Sequence, residues 1–395
     1  MPTEETERLM ARSSSELSGR MITVGSGDIA YQAFVPNPLP PDLLFSGDLV
    51  SALSQADRSL GELAGLGRCL ANPHLLIRPF MRREAVLSSR IEGTQADMSD
   101  LYAYEAGGVA ARDARTSSVS DVREVANYVD ALQYGLERLD TLPVSLRLLR
   151  EVHQRLMAGV RGEHATPGEF RRSQNWIGSP GCTLNDATFV PPPVTQMDKS
   201  LADLEDYLNR DDDLPPLVRV ACIHYQFETI HPFLDGNGRV GRLLISLLLM
   251  HWNVLPLPLL YLSAYFERNR QQYYDRLLGV TRHGEWHNWL LFFLQGVADE
   301  SRDAAQRAKT LQDLQSQYRQ RLTETKASVS ALRLVDLVFE SPILTVPRIQ
   351  QALGVAYNSA KSAVGKLVDV GILATGDDET YGRVYIARDV LEAVK

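Results

Sequence analysis

Beyond residue 48, apolar residues recur every three to four positions along most of the chain, which is the period of an amphipathic helix. This spacing predicts helices over 49–63, 79–92, 119–139 and 143–160, then over 194–209, 215–230, 238–251, 263–281 and 284–320. Pro79 suits a first helical turn, and Gly93 suits a C-terminal cap. The first 40 residues read as irregular apart from short extended pieces at 22–24 and 30–35. The run Pro36-Asn37-Pro38-Leu39-Pro40-Pro41 is a stiff connector that no helix crosses. Residues 106–118 are small and polar and read as a loop.

Two stretches break the helical pattern. Residues 167–193 hold Gly168, Gly178, Pro180, Gly181 and three consecutive prolines, with short apolar pieces at 175–177 and 188–190. They predict a β-hairpin-like flap. From residue 326, helices are expected over 331–340, 346–353 and 357–370, with Gly354 in a tight turn and a hairpin from 371–374 and 382–386. Three helices followed by a hairpin resemble a winged helix-turn-helix. The fold class is therefore mainly α. The expected organisation is an N-terminal region (1–118) with a helix over 79–93, a helical core (119–300), a linker helix (301–325) and a winged-helix-like domain (326–395).

Composition narrows the class. A length of 395 residues implies two or three domains, and 44% hydrophobic with 23% charged residues is an ordinary globular balance. A net charge of -8 argues against a generally cationic nucleic-acid or membrane-surface binder. Cys69, Cys182 and Cys222 are odd in number and widely spaced, so no zinc spacing or disulfide framework follows and a reducing cytoplasm fits. The most apolar window, 243–262, contains Ser246, His251, Asn253, Pro256 and Pro258. It reads as a buried helix and a Pro-broken loop, with no membrane partner.

The chemistry concentrates in His231-Pro232-Phe233-Leu234-Asp235-Gly236-Asn237-Gly238-Arg239-Val240-Gly241-Arg242. Gly236-x-Gly238-x-x-Gly241 matches a dinucleotide fingerprint, but a helix rather than a strand precedes it and no acid follows about 20 residues on. As a P-loop it lacks the lysine and the Ser/Thr. What remains is an anion site. Gly-Asn-Gly lets backbone N–H groups converge at a helix N-terminus, and Arg239 and Arg242 share a helix face. Asp235 places one carboxylate beside that nest, which fits Mg²⁺ held jointly with phosphate oxygens. His231 has the natural pKa of a general base near neutrality. Taken singly, each residue reads more readily as a helix cap, a turn or a solvated charge; the density of roles in twelve positions reverses that and points to a site.

The segment resembles the Fic family motif H-x-F-x-[D/E]-G-N-G-R-x-x-R at every specified position. The resemblance implies a Fic helical core that transfers AMP from ATP, as substrate, to a Ser, Thr or Tyr hydroxyl of a protein. It implies His231 as general base, Asp235 as the Mg²⁺ ligand, and Gly236, Asn237 and Gly238 as an anion hole. Asn237 and Arg239 would lie near the α- and β-phosphates, and Arg242 would hold the γ-phosphate. Val240 and Gly241 complete the nucleotide-binding stretch, and Phe233 packs into the core. The flap, starting Arg171-Arg172-Ser173-Gln174-Asn175-Trp176-Ile177, would dock the target by strand addition. Trp176 and Ile177 would touch base or target, with Asn269 and the pair Tyr273-Tyr274 near adenine and ribose.

Upstream, Ser88-Ser89-Arg90-Ile91-Glu92-Gly93 resembles the family's inhibitory pattern [S/T]-x-x-x-E-[G/N]. A carboxylate at a helix C-terminus faces the wrong end of the dipole and is better placed with a cation. The resemblance implies that Glu92 pairs with Arg242 in the seat of the γ-phosphate, with Ser88 in the same cluster. Homodimers are common in the family. Two rival readings stand beside transfer. One is removal of AMP, or transfer of another phosphate-containing group, on the same fold. The other is a DNA-binding regulator whose Fic domain senses a nucleotide. Residues 326–395 carry eight Lys/Arg and eight Asp/Glu, a thin basic footprint for a DNA reader, so protein docking is an equal expectation.

Overall fold

The computed structural model describes residues 18–27, 30–69, 73–106, 119–160, 166–179, 181–376 and 384–394. The expectations for residues 1–17, for the loop at 107–118 and for the turn at 377–383 lie outside these. The described residues are mainly helical and divide into two compact units. The first holds the residues up to Arg58, Asp130–Val254 and Tyr265–Asp299; the second holds Ser59–Val129, Leu255–Ala264 and the residues from Glu300 on.

In the first unit, β1 (Gly19–Val24) and β2 (Tyr31–Pro36) form an antiparallel hairpin in which Gly19 pairs with Pro36 and Val24 with Tyr31. The sequence pattern predicts only short extended pieces here. Ala33, Phe34 and Val35 are buried, which gives the hairpin a reason to form. The helix α1 (Gly47–Cys69) begins in this unit, and α4 (Val119–Arg138) ends in it. Helix α5 (Leu146–Leu156) starts at Ser145, whose hydroxyl caps Leu148 N–H at 3.4 Å. Helices α6 (Val194–Asn209), α7 (Pro216–Ile230) and α8 (Asn237–His251) follow. Both α7 and α8 are buried on nearly every side, so they form the centre of the unit. Helices α9 (Ser263–Arg268), α10 (Arg270–His283) and the 39-residue α11 (Trp286–Glu324) complete the series.

The flap between α5 and α6 is held by one antiparallel bridge rather than two full strands. Ile177 and Phe189 exchange both N–H···O bonds, at 2.9 and 3.0 Å, around a short 3-10 turn at Leu184–Asp186. Pro191, Pro192 and Pro193 have no N–H to extend the ladder. Phe34 N–H of β2 reaches Val190 O at 3.0 Å, which fixes the flap to the hairpin.

In the second unit, α2 spans His74–Ile91, and Pro79 lies inside it rather than in its first turn. An interior proline costs about 3 kcal/mol. Leu75 and Leu76, in the extra turn, are buried, and each contributes roughly 1.5–3 kcal/mol, enough to offset that cost. Glu92 caps this helix and Gly93 follows at φ 101°, with Thr94 N–H returning to Ser89 O at 3.3 Å. Helix α3 (Met98–Glu105) is absent from the sequence expectation. It opens on a reciprocal capping box between Asp97 and Asp100. From residue 326 come α12 (Val329–Glu340), β3 (Ile343–Thr345), α13 (Val346–Leu353), α14 (Tyr357–Asp369), β4 (Ala374–Thr375), β5 (Val384–Ile386) and α15 (Arg388–Val394). The sheet order is β3-β5-β4, antiparallel throughout. Strand β3 and helix α15 are additions to the expected three helices and hairpin. Arg78 of α2 pairs with Glu340 of α12, and Arg82 Nε pairs with Glu105 at 2.9 Å. Among the described residues, no helix is long and apolar enough to cross a membrane.

Candidate active site

Helix α7 stops because His231 turns left-handed, at φ 50° and ψ 60°. Its N–H still bonds Phe227 O, so it is the last hydrogen-bonded residue before the chain leaves the helix. The ring is oriented by the same turn: Nδ1 lies 3.2 Å from Glu228 O. A carbonyl only accepts, so Nδ1 carries the hydrogen, and the neutral ring presents Nε2 as its proton-accepting nitrogen. The acceptor belongs to the C-terminal turn of α7.

A second left-handed residue, Gly236 at φ 78°, closes the loop and begins α8. A β-carbon there would meet Met157 Sδ at 3.0 Å and His153 Nε2 at 3.5 Å, so glycine is required for space as well as for backbone. Between the two turns the loop is tied shut from within. Asn237 is buried, its Oδ1 accepts Phe233 N–H at 2.8 Å, and its Nδ2 donates to Phe233 O at 2.7 Å. Its amide is thus committed to the loop, and what Asn237 offers an anion is its backbone N–H. The first intrahelical bond of α8 runs from Val240 N–H to Gly236 O at 3.0 Å. The N–H groups of Asn237 and Gly238 precede it and have no intrahelical acceptor, which leaves them aligned at a helix N-terminus.

The charged residues flank this turn. Asp235 Oδ1 accepts Gly236 N–H at 2.6 Å and lies 4.0 Å from Arg239 Nη2. Its side chain is about half exposed (52%), while that of Arg239 is 4% exposed. Arg239 Nη2 also sits 3.5 Å from Met157 Sδ. Arg242, one turn further along α8, is buried, as are Val240 and Phe233. A β-carbon at Gly241 would press on the Glu228 carboxylate and on Phe227 at 3.2 Å, so this glycine lets α8 lie close against α7.

Three side chains outside the motif hold it in place. His153 of α5 accepts Gly168 N–H on Nδ1 at 2.9 Å and directs Nε2 at Asp235 O, 3.0 Å away. Its ring stacks on Phe233 with centroids 3.8 Å apart. Burial pushes its pKa down to about 4, with the Arg239 charge acting the same way. Asn175 Nδ2 donates to Phe233 O at 2.8 Å and to His231 O at 3.3 Å. Arg171 Nε donates to His231 O at 3.0 Å. A histidine on the apolar face of α5, beside Leu149, Val152 and Leu156, is the kind of sequence signal that could have flagged His153, because a buried imidazole needs partners. No spacing rule flags Arg171 or Asn175, since both act on main-chain carbonyls some sixty residues away.

The remaining expected residues fall in varied settings. Ile177 (40% exposed) and Trp176 (43%) are on the flap surface, and Trp176 Nε1 donates to Cys182 O at 3.2 Å. Asn269 precedes α10 and donates to Tyr265 O at 2.9 Å. Tyr273 is buried, stacked on Phe266, with its hydroxyl 2.8 Å from His224 Nε2. His224 Nδ1 in turn contacts Gly241 O at 3.0 Å, so the ring donates there and accepts from Tyr273. Tyr273 therefore reaches the motif through His224 rather than by facing an opening. In the second unit, Ser88 is fully buried in α2 and Glu92 is exposed at its cap.

One carboxylate at the mouth of an N–H nest suits Mg²⁺, which takes few protein ligands and keeps phosphate and water oxygens. Among the described residues there is no group of three or more His, Cys, Asp or Glu placed to hold a metal ion.

Comparison with known proteins gives matches for two stretches of the chain. Residues 50–137 match the model for the Fic/DOC family N-terminal region, and residues 143–249 match that for the Fic/DOC family. The chain is 32% identical over 136 residues to the protein adenylyltransferase Fic of Drosophila willistoni, covering 34% of this chain and 25% of that protein. It is 32% identical over 151 residues to the protein of the same name from Culex quinquefasciatus, covering 38% of this chain and 27% of that one. The match thus spans about a quarter of each curated relative. In fold, it resembles the crystal structure of a Fic family protein from Desulfovibrio desulfuricans, with a TM-score of 0.56 and 19% identity, over 88% of this chain and 98% of the other. Residues 50–137 are accordingly a Fic/DOC N-terminal region, and residues 143–249, which carry the His231–Arg242 turn, are a Fic/DOC family domain.

Proposed function

We propose that this protein is an adenylyltransferase that moves AMP from ATP to a side-chain hydroxyl of a protein. The observation that carries the reading is His231: a ring held at Nδ1 by Glu228 O, which leaves Nε2 as its proton-accepting nitrogen, six residues before the helix N-terminus at Asn237. In the reaction, the target O–H bond breaks as its proton passes to His231 Nε2. The target oxygen forms a bond to the α-phosphorus, and the bond from that phosphorus to the bridging oxygen of pyrophosphate breaks. The backbone N–H groups of Asn237 and Gly238, with Arg239 and Arg242, hold the phosphates in line, so positioning and charge provide most of the rate. Asp235 would hold Mg²⁺, which when bound neutralises phosphate charge. The curated relatives' name, protein adenylyltransferase, supports the same chemistry.

Glu92 is the brake in this reading. It ends α2 where the dipole disfavours a carboxylate, and its role is to compete with the γ-phosphate for Arg242, with Ser88 supporting the same helix. The C-terminal region from residue 326 acts as a winged-helix-like module: α13, a left-handed Gly354 and α14 form the helix-turn-helix, and β4 with β5 forms the wing. Its even charge balance favours a protein partner over DNA. The cysteine usage fits a cytoplasmic protein.

The test is incubation of the Glu92→Gly protein with α-labelled ATP and Mg²⁺, followed by mass spectrometry. A mass increase of one AMP on a hydroxyl side chain, lost in the Glu92→Gly/His231→Ala double variant, is the expected result. Absence of any modification on the protein or on an added cell extract would refute transfer. Release of AMP from a previously modified protein by the parent chain would favour the reverse reaction instead.

A further inference from the structure

The two feet of the flap and the end of α7 meet at one buried guanidinium. We infer that Arg171 is a positioning residue that couples the flap to the orientation of His231, an inference that rests on the reading of the site given above. Arg171 is 1% exposed. Its Nε donates to His231 O at 3.0 Å, Nη1 to Ser173 O at 3.2 Å, and Nη2 to Pro192 O at 2.5 Å and to Ile230 O at 3.5 Å. Its own N–H donates to Pro232 O at 2.8 Å. Every one of these acceptors is a main-chain carbonyl.

The acceptors come from three places. Ser173 lies just before the first arm of the flap and Pro192 just after the second, while Ile230 and His231 close α7. A planar fork with donors fixed in direction can hold all three together, which a single ammonium cannot do. A buried cation ordinarily sits against a carboxylate. Here the direct contacts are all to carbonyl dipoles, including those at the negative end of α7, where a positive charge is favoured, and the Asp198 charge adds to them without a hydrogen bond. The fork therefore keeps its partners only while the flap feet and the catalytic turn are both in place. Gln174 reinforces the same base, donating to Asn175 O and Pro191 O at 3.0 Å each and accepting from Tyr31 of β2 at 3.2 Å. A chain that docks on the flap and shifts Ser173 or Pro192 thus acts on the residue that anchors the His231 carbonyl. Arg171 touches no reacting atom on this account; its effect passes through His231.

The experiment measures self-labelling rates against ATP concentration in the Glu92→Gly background, with Arg171→Gln and Arg171→Lys added separately. Removing charge-assisted bonds to the turn should lower the limiting rate about ten- to hundredfold, while the half-saturating ATP concentration stays within about twofold. Arg171→Lys, which keeps the charge at the end of α7 but not the fork, should fall between Arg171→Gln and the parent. A merely structural role would weaken ATP saturation and rate together. Should Arg171→Gln fail to melt cooperatively, Arg171→Lys alone decides. A limiting rate equal to the parent's, or a loss confined to ATP saturation, overturns the inference. A Glu92→Gly parent that labels nothing overturns the transferase reading instead.

Discussion

His153 and Asp235 meet through a ring nitrogen and a main-chain carbonyl, Nε2 to O at 3.0 Å, while the other ring nitrogen accepts Gly168 N–H. Both contacts are made by the neutral ring. Protonation would set an N–H against an N–H at Gly168 and a positive charge near Arg239. His224, with its pKa pushed down to about 3 by burial, is in the same position between Gly241 and Tyr273. A histidine held neutral in the folded state contributes stability that is complete above its unfolded pKa, near 6.5, and is lost as pH falls toward the folded value. Urea melts at pH 7, 6 and 5 should show stability falling across that window, by roughly 1.4 kcal/mol per pH unit for each histidine. His153→Gln should flatten the slope. An unchanged midpoint between pH 7 and 5 would contradict this burial.

His231→Ala should reduce AMP transfer by about 10²- to 10⁴-fold through loss of the base. Residue 231 is left-handed, a conformation that histidine visits more readily than alanine, so alanine also loses some stability there. His231→Asn is the cleaner variant, since asparagine tolerates that conformation. It should melt close to the parent and transfer as poorly as His231→Ala. A His231→Asn protein that retains a tenth of the parent rate would assign the base elsewhere.

Glu92→Gly should raise transfer about ten- to hundredfold, the range expected when a charge-assisted contact of roughly 1.5–3 kcal/mol stops competing with phosphate. The gain should appear mainly as tighter productive use of ATP. Equal rates for parent and variant at all ATP concentrations would remove Glu92 from regulation.

Gly236→Ala should destabilise the domain by about 1–3 kcal/mol, since the β-carbon adds strain at φ 78° and presses on Met157 Sδ. Calorimetric titration should also show weakened ATP binding, because the N–H groups of Asn237 and Gly238 depend on that turn. Native-like ATP affinity in the variant would mean the nest is not the nucleotide seat.

The sequence was most informative where punctuation is local. The expected helices at 194–209, 215–230 and 238–251 coincide to within a residue with α6, α7 and α8. Their ends are written in prolines and in the Gly-Asn-Gly turn. Helix α3 escaped because eight residues hold barely two turns, too few for a period; only the Asp97–Asp100 box marked its start. Pro79 misled because burial of Leu75 and Leu76 outweighs its lost hydrogen bond, a tertiary effect. The twelve-residue motif was legible because its parts are consecutive. Arg171 and Asn175 were not, because they hold it by contacts to backbone, which leave no side-chain pattern; His153 left only the trace of an imidazole on an apolar helix face.

The loop between His231 and Gly236 is built by residues other than the imidazole: Asn237 ties Phe233, Asn175 and Arg171 hold the main chain, and His153 seats Asp235. Scaffold and reagent are therefore separable. A descendant chain that lost only the histidine ring would keep its shape and go on capturing nucleotide without consuming it, and so could pass from enzyme to receptor in a single mutational step.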